Sequence, residues 1–143
     1  MRRFHLILGL IVVVVFLLTG QYMEYVHNRL LPDGVRMLYR SRHIYLLLAG
    51  LLNLTLGLYL TFQPSGWRRS LQIIGSILIA LSPGLLLAGF FLEPRWGPEQ
   101  TRVAPLGIFA VAIGTLLHLV SSWRLSGSSG DKPTFPGGAA PGS

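Results

Sequence analysis

Glu24, His27, Arg36, Arg40 and His43 are the residues of this sequence best placed to do chemistry together. They fall in one polar stretch, residues 21–45 (QYMEYVHNRLLPDGVRMLYRSRHIY), held between two long apolar runs. Guanidinium forks match the geometry of phosphate and carboxylate, so Arg36 and Arg40 beside histidine form a ligand-binding set suited to an anionic lipid headgroup or a small anion. Counting back from a turn at Pro32 puts Glu24 level with Arg40 and His27 level with Arg36, which predicts a Glu24–Arg40 ion pair. Asp33, Arg42, Glu93, Arg95 and Glu99 complete a polar cap at the same end of the molecule.

Histidine also enters two other combinations. Met23 lies four residues before His27, with His43 on the facing arm, and a thioether with two imidazoles suits copper. His5 and His118 lie at the other end of the first and last apolar runs, where two imidazoles can hold a haem. The chain has no cysteine, which excludes disulfides, thiolate nucleophiles, thiol-ligated zinc and iron–sulfur clusters. It shows no catalytic triad, phosphate loop, paired catalytic carboxylates or metalloprotease motif. No catalytic residue is therefore assigned and no cofactor is expected.

The elements that must position these groups are apolar helices. Charged residues make up 12% of the chain, about half the usual share of a soluble domain, and mean hydropathy is +0.56. Four apolar runs predict an all-α integral membrane protein, an antiparallel bundle of four transmembrane helices with short loops. Residues 1–125 form that domain, with spans over 4–22, 43–62, 71–92 and 103–120. Residues 126–143 (SGSSGDKPTFPGGAAPGS) are too poor in apolar side chains to offset ordering entropy and read as a disordered tail. The positive start and apolar middle of the first run resemble a secretory signal, but no small-residue cleavage site follows, so it reads as a retained anchor.

Between the first two spans nothing breaks the helix except Pro32, so both arms extend into a protruding hairpin over residues 21–43. Each arm is roughly 28 residues and roughly 42 Å long, against a hydrocarbon core of about 30 Å. Asp33 is the expected N-cap of the second arm. On that arm Arg36, Arg40, His43, Leu47, Gly50, Leu54 and Gly57 repeat at alternating spacings of four and three, the mark of a seam against another helix. Pro83 should kink the third helix. Small residues that let helices approach closely are Gly50 and Gly57, the ridge Ala80, Gly84 and Ala88, and Gly107 and Gly114.

A net charge of +7 would suit nucleic acid in a soluble protein. Here the arginines flank apolar runs, so the partners expected are the lipid bilayer, an anionic lipid, and a membrane-protein partner or second copy, not nucleic acid. Lys and Arg divide six to six between the two ends of the bundle, and the expectation adopted is both termini in the cytoplasm, in the plasma membrane or a bacterial inner membrane. The function expected is that of a non-enzymatic accessory or interaction protein. The alternatives are an oligomeric transporter or channel lined by Asn53, Ser82 with Pro83, and Thr115, or a redox or metal-binding protein using the histidines. The first span is apolar from Leu6 to Leu18 and has no carboxylate for proton coupling.

Overall fold

The structure is a computed structural model that describes residues 1–27, 31–61 and 66–123, apart from the side chains of Val26, His27 and Pro98. The expected tail, and residue 62 at the end of the second expected span, lie outside the described residues. Four helices account for nearly all the rest: α1 Arg2–His27, α2 Asp33–Tyr59, α3 Trp67–Trp96 and α4 Val103–Ser122. Each is long and apolar enough to cross a membrane. A single 3-10 turn, Pro98–Gln100, leads from α3 to α4.

The ends of the helices follow from local chemistry. Pro32, extended at φ −56° and ψ 145°, caps α2, and its carbonyl accepts the Arg36 amide at 3.1 Å. Asp33 is therefore the first helical residue and not the cap, and its carboxylate pairs with Arg36 one turn on. Gly97, at φ +91°, ends α3 in a conformation that a side chain would strain. At 30 residues α3 runs beyond the expected 71–92 span in both directions, which adds about a turn at each end.

Pro83 leaves α3 one continuous helix and frees a carbonyl, that of Ile79, because proline has no N–H to donate four residues back. Ile79 O accepts instead from Asn53 Nδ2 at 3.2 Å and from Ser82 Oγ at 2.9 Å. Asn53 Nδ2 also donates to Ala49 O at 2.9 Å, and Asn53 Oδ1 accepts from His5 Nδ1 at 2.8 Å. The proline's unmet acceptor thus becomes a polar tie among α1, α2 and α3, all of it buried.

Helices consecutive in the chain pack antiparallel. Going up α2, Gly57, Leu54, Gly50 and His43 meet Leu6, Gly9, Val12 and Thr19 of α1 in turn. Gly75 of α3 sits against Gly114 of α4, and Gly89 against Ala104. α1 packs on α2, α4 packs on α3, and the two hairpins join through α2 and α3, while the α1 and α4 backbones make no close contact and approach only through side chains such as His5 and His118. The apolar core is Leu46, Ala49, Leu86, Ala104 and Val111, where α2, α3 and α4 converge. The outward faces are apolar as well, with Ile7, Val14, Leu81, Phe109 and Ile113 among their exposed side chains.

Candidate functional site

The end of the bundle that carries the helical hairpin is organised by Glu93. This carboxylate is fully buried on the last turns of α3, and every partner it has comes from another element or helix end. Oε2 accepts from Arg42 Nε and Nη2 of α2, both at 2.7 Å. Oε1 accepts the Val103 and Ala104 amides at 2.8 and 2.9 Å, the first free N–H groups of α4. One side chain therefore joins α2 to α3 and caps α4, with its negative charge at a helix N-terminus where the dipole favours it. Phe90, buried beside it, stacks edge-on with Tyr39 at 5.1 Å and with Phe91 at 5.1 Å.

The expected Glu24–Arg40 pair does not form. Among the described residues the ion pairs are Arg36–Asp33 and Arg42–Glu93, and Glu24 and Arg40 are both exposed. The reason is geometric. Residues 40 and 42 are about 200° apart around a helix, so Arg40 turns away from α3 while Arg42 turns toward it. Counting along the α1–α2 hairpin alone considers one partner helix, whereas the charge is met by another.

His43 also finds its partners on α1. The Thr19 hydroxyl donates to Phe16 O at 2.9 Å, so its contact with His43 Nδ1 at 3.0 Å has the imidazole N–H as donor. Phe16 stacks on the ring at 4.0 Å, and Gly20 leaves room for its far edge. Met23 is partly buried, and the His27 side chain lies outside the described residues. Arg36 and Arg40 remain at the surface, one turn apart on one face, lining with Asp33 and Met37 an open concavity of about 450 Å³. Of the five residues singled out for ligand binding, the structure thus brings Arg36 and Arg40 together and directs His43 inward.

At the opposite end His5 and His118 lie close enough to interact electrostatically, and each has its own hydrogen-bond partner. His5 holds Asn53, and His118 Nε2 meets Ser76 Oγ at 3.2 Å, beside Gly75. Asn53 and Ser82 are fully buried with their polar atoms engaged inside the bundle, and Thr115 lies at the crevice between α2 and α4. Gly50, Gly57, Gly107 and Gly114 lie against neighbouring helices, whereas a Cβ on Gly84 would meet nothing within 4 Å, and Ala80 and Ala88 are partly exposed. The role of Glu93 as a cap of α4 was missed from sequence. Its signal was a lone carboxylate ending an apolar run, ten residues before the next helix.

No protein-family model matches the chain, and no curated protein or solved structure is significantly similar to it.

Proposed function

We propose that this is a multi-pass integral membrane protein without enzymatic activity, whose Arg36/Arg40 face binds the anionic headgroup of a lipid. Its four helices cross the bilayer as an antiparallel bundle, with both termini in the cytoplasm and the arginine face at the opposite leaflet. The single observation that carries the headgroup assignment is the division of labour among three nearby arginines. Arg42 is neutralised by a buried carboxylate, while Arg40 stays exposed without an ion pair among the described residues and Arg36, paired with the exposed Asp33, lies one turn away on the same face. Two guanidinium groups beside a concavity and an exposed Met37 match a phosphate oxygen cluster carried on acyl chains.

The test is native mass spectrometry of protein released from nanodiscs of mixed zwitterionic and anionic phospholipid. The native protein is expected to retain anionic lipid preferentially. Arg36→Ala with Arg40→Ala should reduce that retention about tenfold, as expected for the loss of charge-assisted hydrogen bonds. Unchanged retention, or loss of a co-purifying polypeptide in place of lipid, would overturn the assignment.

A further inference from the structure

A second candidate site lies at the end of the bundle away from the arginine face and does not depend on it. There α1 and α4 bring His5 and His118 close enough for their charges to interact. Each imidazole is held through one nitrogen by an oxygen of a neighbouring helix. His5 Nδ1 lies 2.8 Å from Asn53 Oδ1 of α2, and His118 Nε2 lies 3.2 Å from Ser76 Oγ of α3. The other nitrogen of each ring, His5 Nε2 and His118 Nδ1, has no hydrogen bond among the described residues.

The protonation of His5 follows from its partner. Asn53 places its Nδ2 hydrogens on Ala49 O and Ile79 O, so its Oδ1 accepts and His5 Nδ1 carries the proton. Nε2 is therefore a lone pair without a partner among the described residues, on a side chain only 1% exposed. Buried polar atoms are normally satisfied, so this one calls for a hydrogen-bond donor or a metal ion. Holding one ring nitrogen on an oxygen acceptor while the other stays free is how proteins orient metal-binding histidines. Ser76 Oγ, accepting from Nε2–H, gives His118 the same form, with its lone pair on Nδ1.

The surroundings decide which ion fits. Among the described residues the carboxylates Glu24, Asp33, Glu93 and Glu99 lie toward the hairpin end, while Arg2, bonded to Gly57 O, stands one turn from His5. Two neutral nitrogens leave the charge of a bound ion uncompensated, at a desolvation cost that grows as the square of that charge. Divalent zinc is therefore disfavoured. Copper suits imidazole, and copper(I), with a single charge, is satisfied by two ligands in line. A haem needs a slot the width of its porphyrin, which a ring as enclosed as His5 does not have. His118 lines an open cleft of about 310 Å³ beside Tyr59 and Gln72, which gives an ion a route from the membrane boundary.

We infer that His5 Nε2 and His118 Nδ1 bind one copper(I) ion in a two-coordinate, all-nitrogen site, with Asn53 and Ser76 as the residues that position the two rings.

The test uses the full-length protein in detergent, without a histidine tag, titrated anaerobically with copper(I) against the chromophoric chelator ferrozine. One equivalent is expected to bind, and X-ray absorption of the native complex should show two nitrogen neighbours and no sulfur. Zinc(II) at equal concentration should not displace it. His5→Ala and His118→Ala should each abolish binding, and Ser76→Ala should weaken it about tenfold, as for loss of a hydrogen bond that orients a ligand. His27→Ala with His43→Ala should leave it unchanged. The spectrum of the native complex decides the ligand set even if the His5 and His118 variants do not fold. Failure of the native protein to take copper(I) from ferrozine, as when water alone meets the two nitrogens, would overturn the inference. So would a sulfur neighbour, which would move the ion to a methionine, or loss of binding in the His27 and His43 double variant.

Discussion

Glu93→Ala is expected to be the most damaging single substitution in the bundle. It leaves the Arg42 guanidinium, 10% exposed, without its anion and strips two α4 amides of their acceptor. Removing one partner of a buried ion pair typically costs about 3–5 kcal/mol, because the other charge stays buried and uncompensated. Domain stabilities are about 5–15 kcal/mol, so a loss of that size takes much of the whole. Glu93→Gln should fall between the native protein and Glu93→Ala, since an amide oxygen still accepts from α4 while Arg42 loses its counter-charge. Arg42→Met with Glu93→Met should be milder than either single change, because no charge is then left unpaired. Denaturant titration in detergent micelles, followed by helix content, orders these variants against the native protein. A Glu93→Ala protein as stable as the native one would remove Glu93 from the centre of the fold.

Gly57→Val should be nearly as severe, for a steric reason. A Cβ on Gly57 falls 2.5 Å from the Leu6 amide nitrogen and 2.6 Å from its Cα, so the clash is with backbone that no rotamer can relieve. α1 must move away, which breaks the Arg2 Nε bond to Gly57 O at 3.1 Å and pulls His5 from Asn53. Overpacking of this kind costs about 1–3 kcal/mol where side chains can shift, and more where they cannot. Gly84→Ala is the control. It has open space around the new Cβ and a better helix former in place of glycine, so it should be neutral or slightly stabilising. The same titration measures both, and equal effects of the two changes would contradict the close contact of α1 and α2.

Much of this arrangement was legible because membrane-type helices write their packing faces in small residues. Of the α2 seam read from spacing alone, His43, Gly50, Leu54 and Gly57 meet α1, whereas Arg36 and Arg40 at its start are exposed. α3 is more instructive. It carries two regular rows, and spacing cannot choose between them. Ala80, Gly84 and Ala88 form an i, i+4, i+8 ridge that faces outward, whereas Gly75, Ile79, Ser82, Leu86, Gly89 and Glu93 repeat at four and three and are buried. Which row is covered depends on where α2 and α4 lie, and that is tertiary information.

The polar groups divide the same way. Arg36 and Arg40 were identifiable as neighbours because they share a helix face one turn apart, but the spacing turned that face toward another helix, whereas both are exposed. The partner of Arg42 was not, since Glu93 lies 51 residues away on a helix outside the α1–α2 hairpin. Asn53 likewise gave no hint that it serves the carbonyl freed by Pro83, because that bond joins two helices across the core.

The account rests most directly on the four helices crossing a bilayer with the hairpin at one face. The chain contains no cysteine, so every introduced cysteine is a unique reporter. In sealed vesicles a membrane-impermeant maleimide should label Met37→Cys and Glu99→Cys from one side only, and Trp67→Cys and Trp123→Cys from the other side only. Val14→Cys, Leu81→Cys and Ile113→Cys, at mid-helix positions whose native side chains are 55%, 60% and 48% exposed on the protein surface, should stay unlabelled until the membrane is dissolved and the protein unfolded. Rapid labelling of the mid-helix cysteines in intact vesicles, at the rate of Met37→Cys, would mean that these apolar faces meet water and would contradict the account.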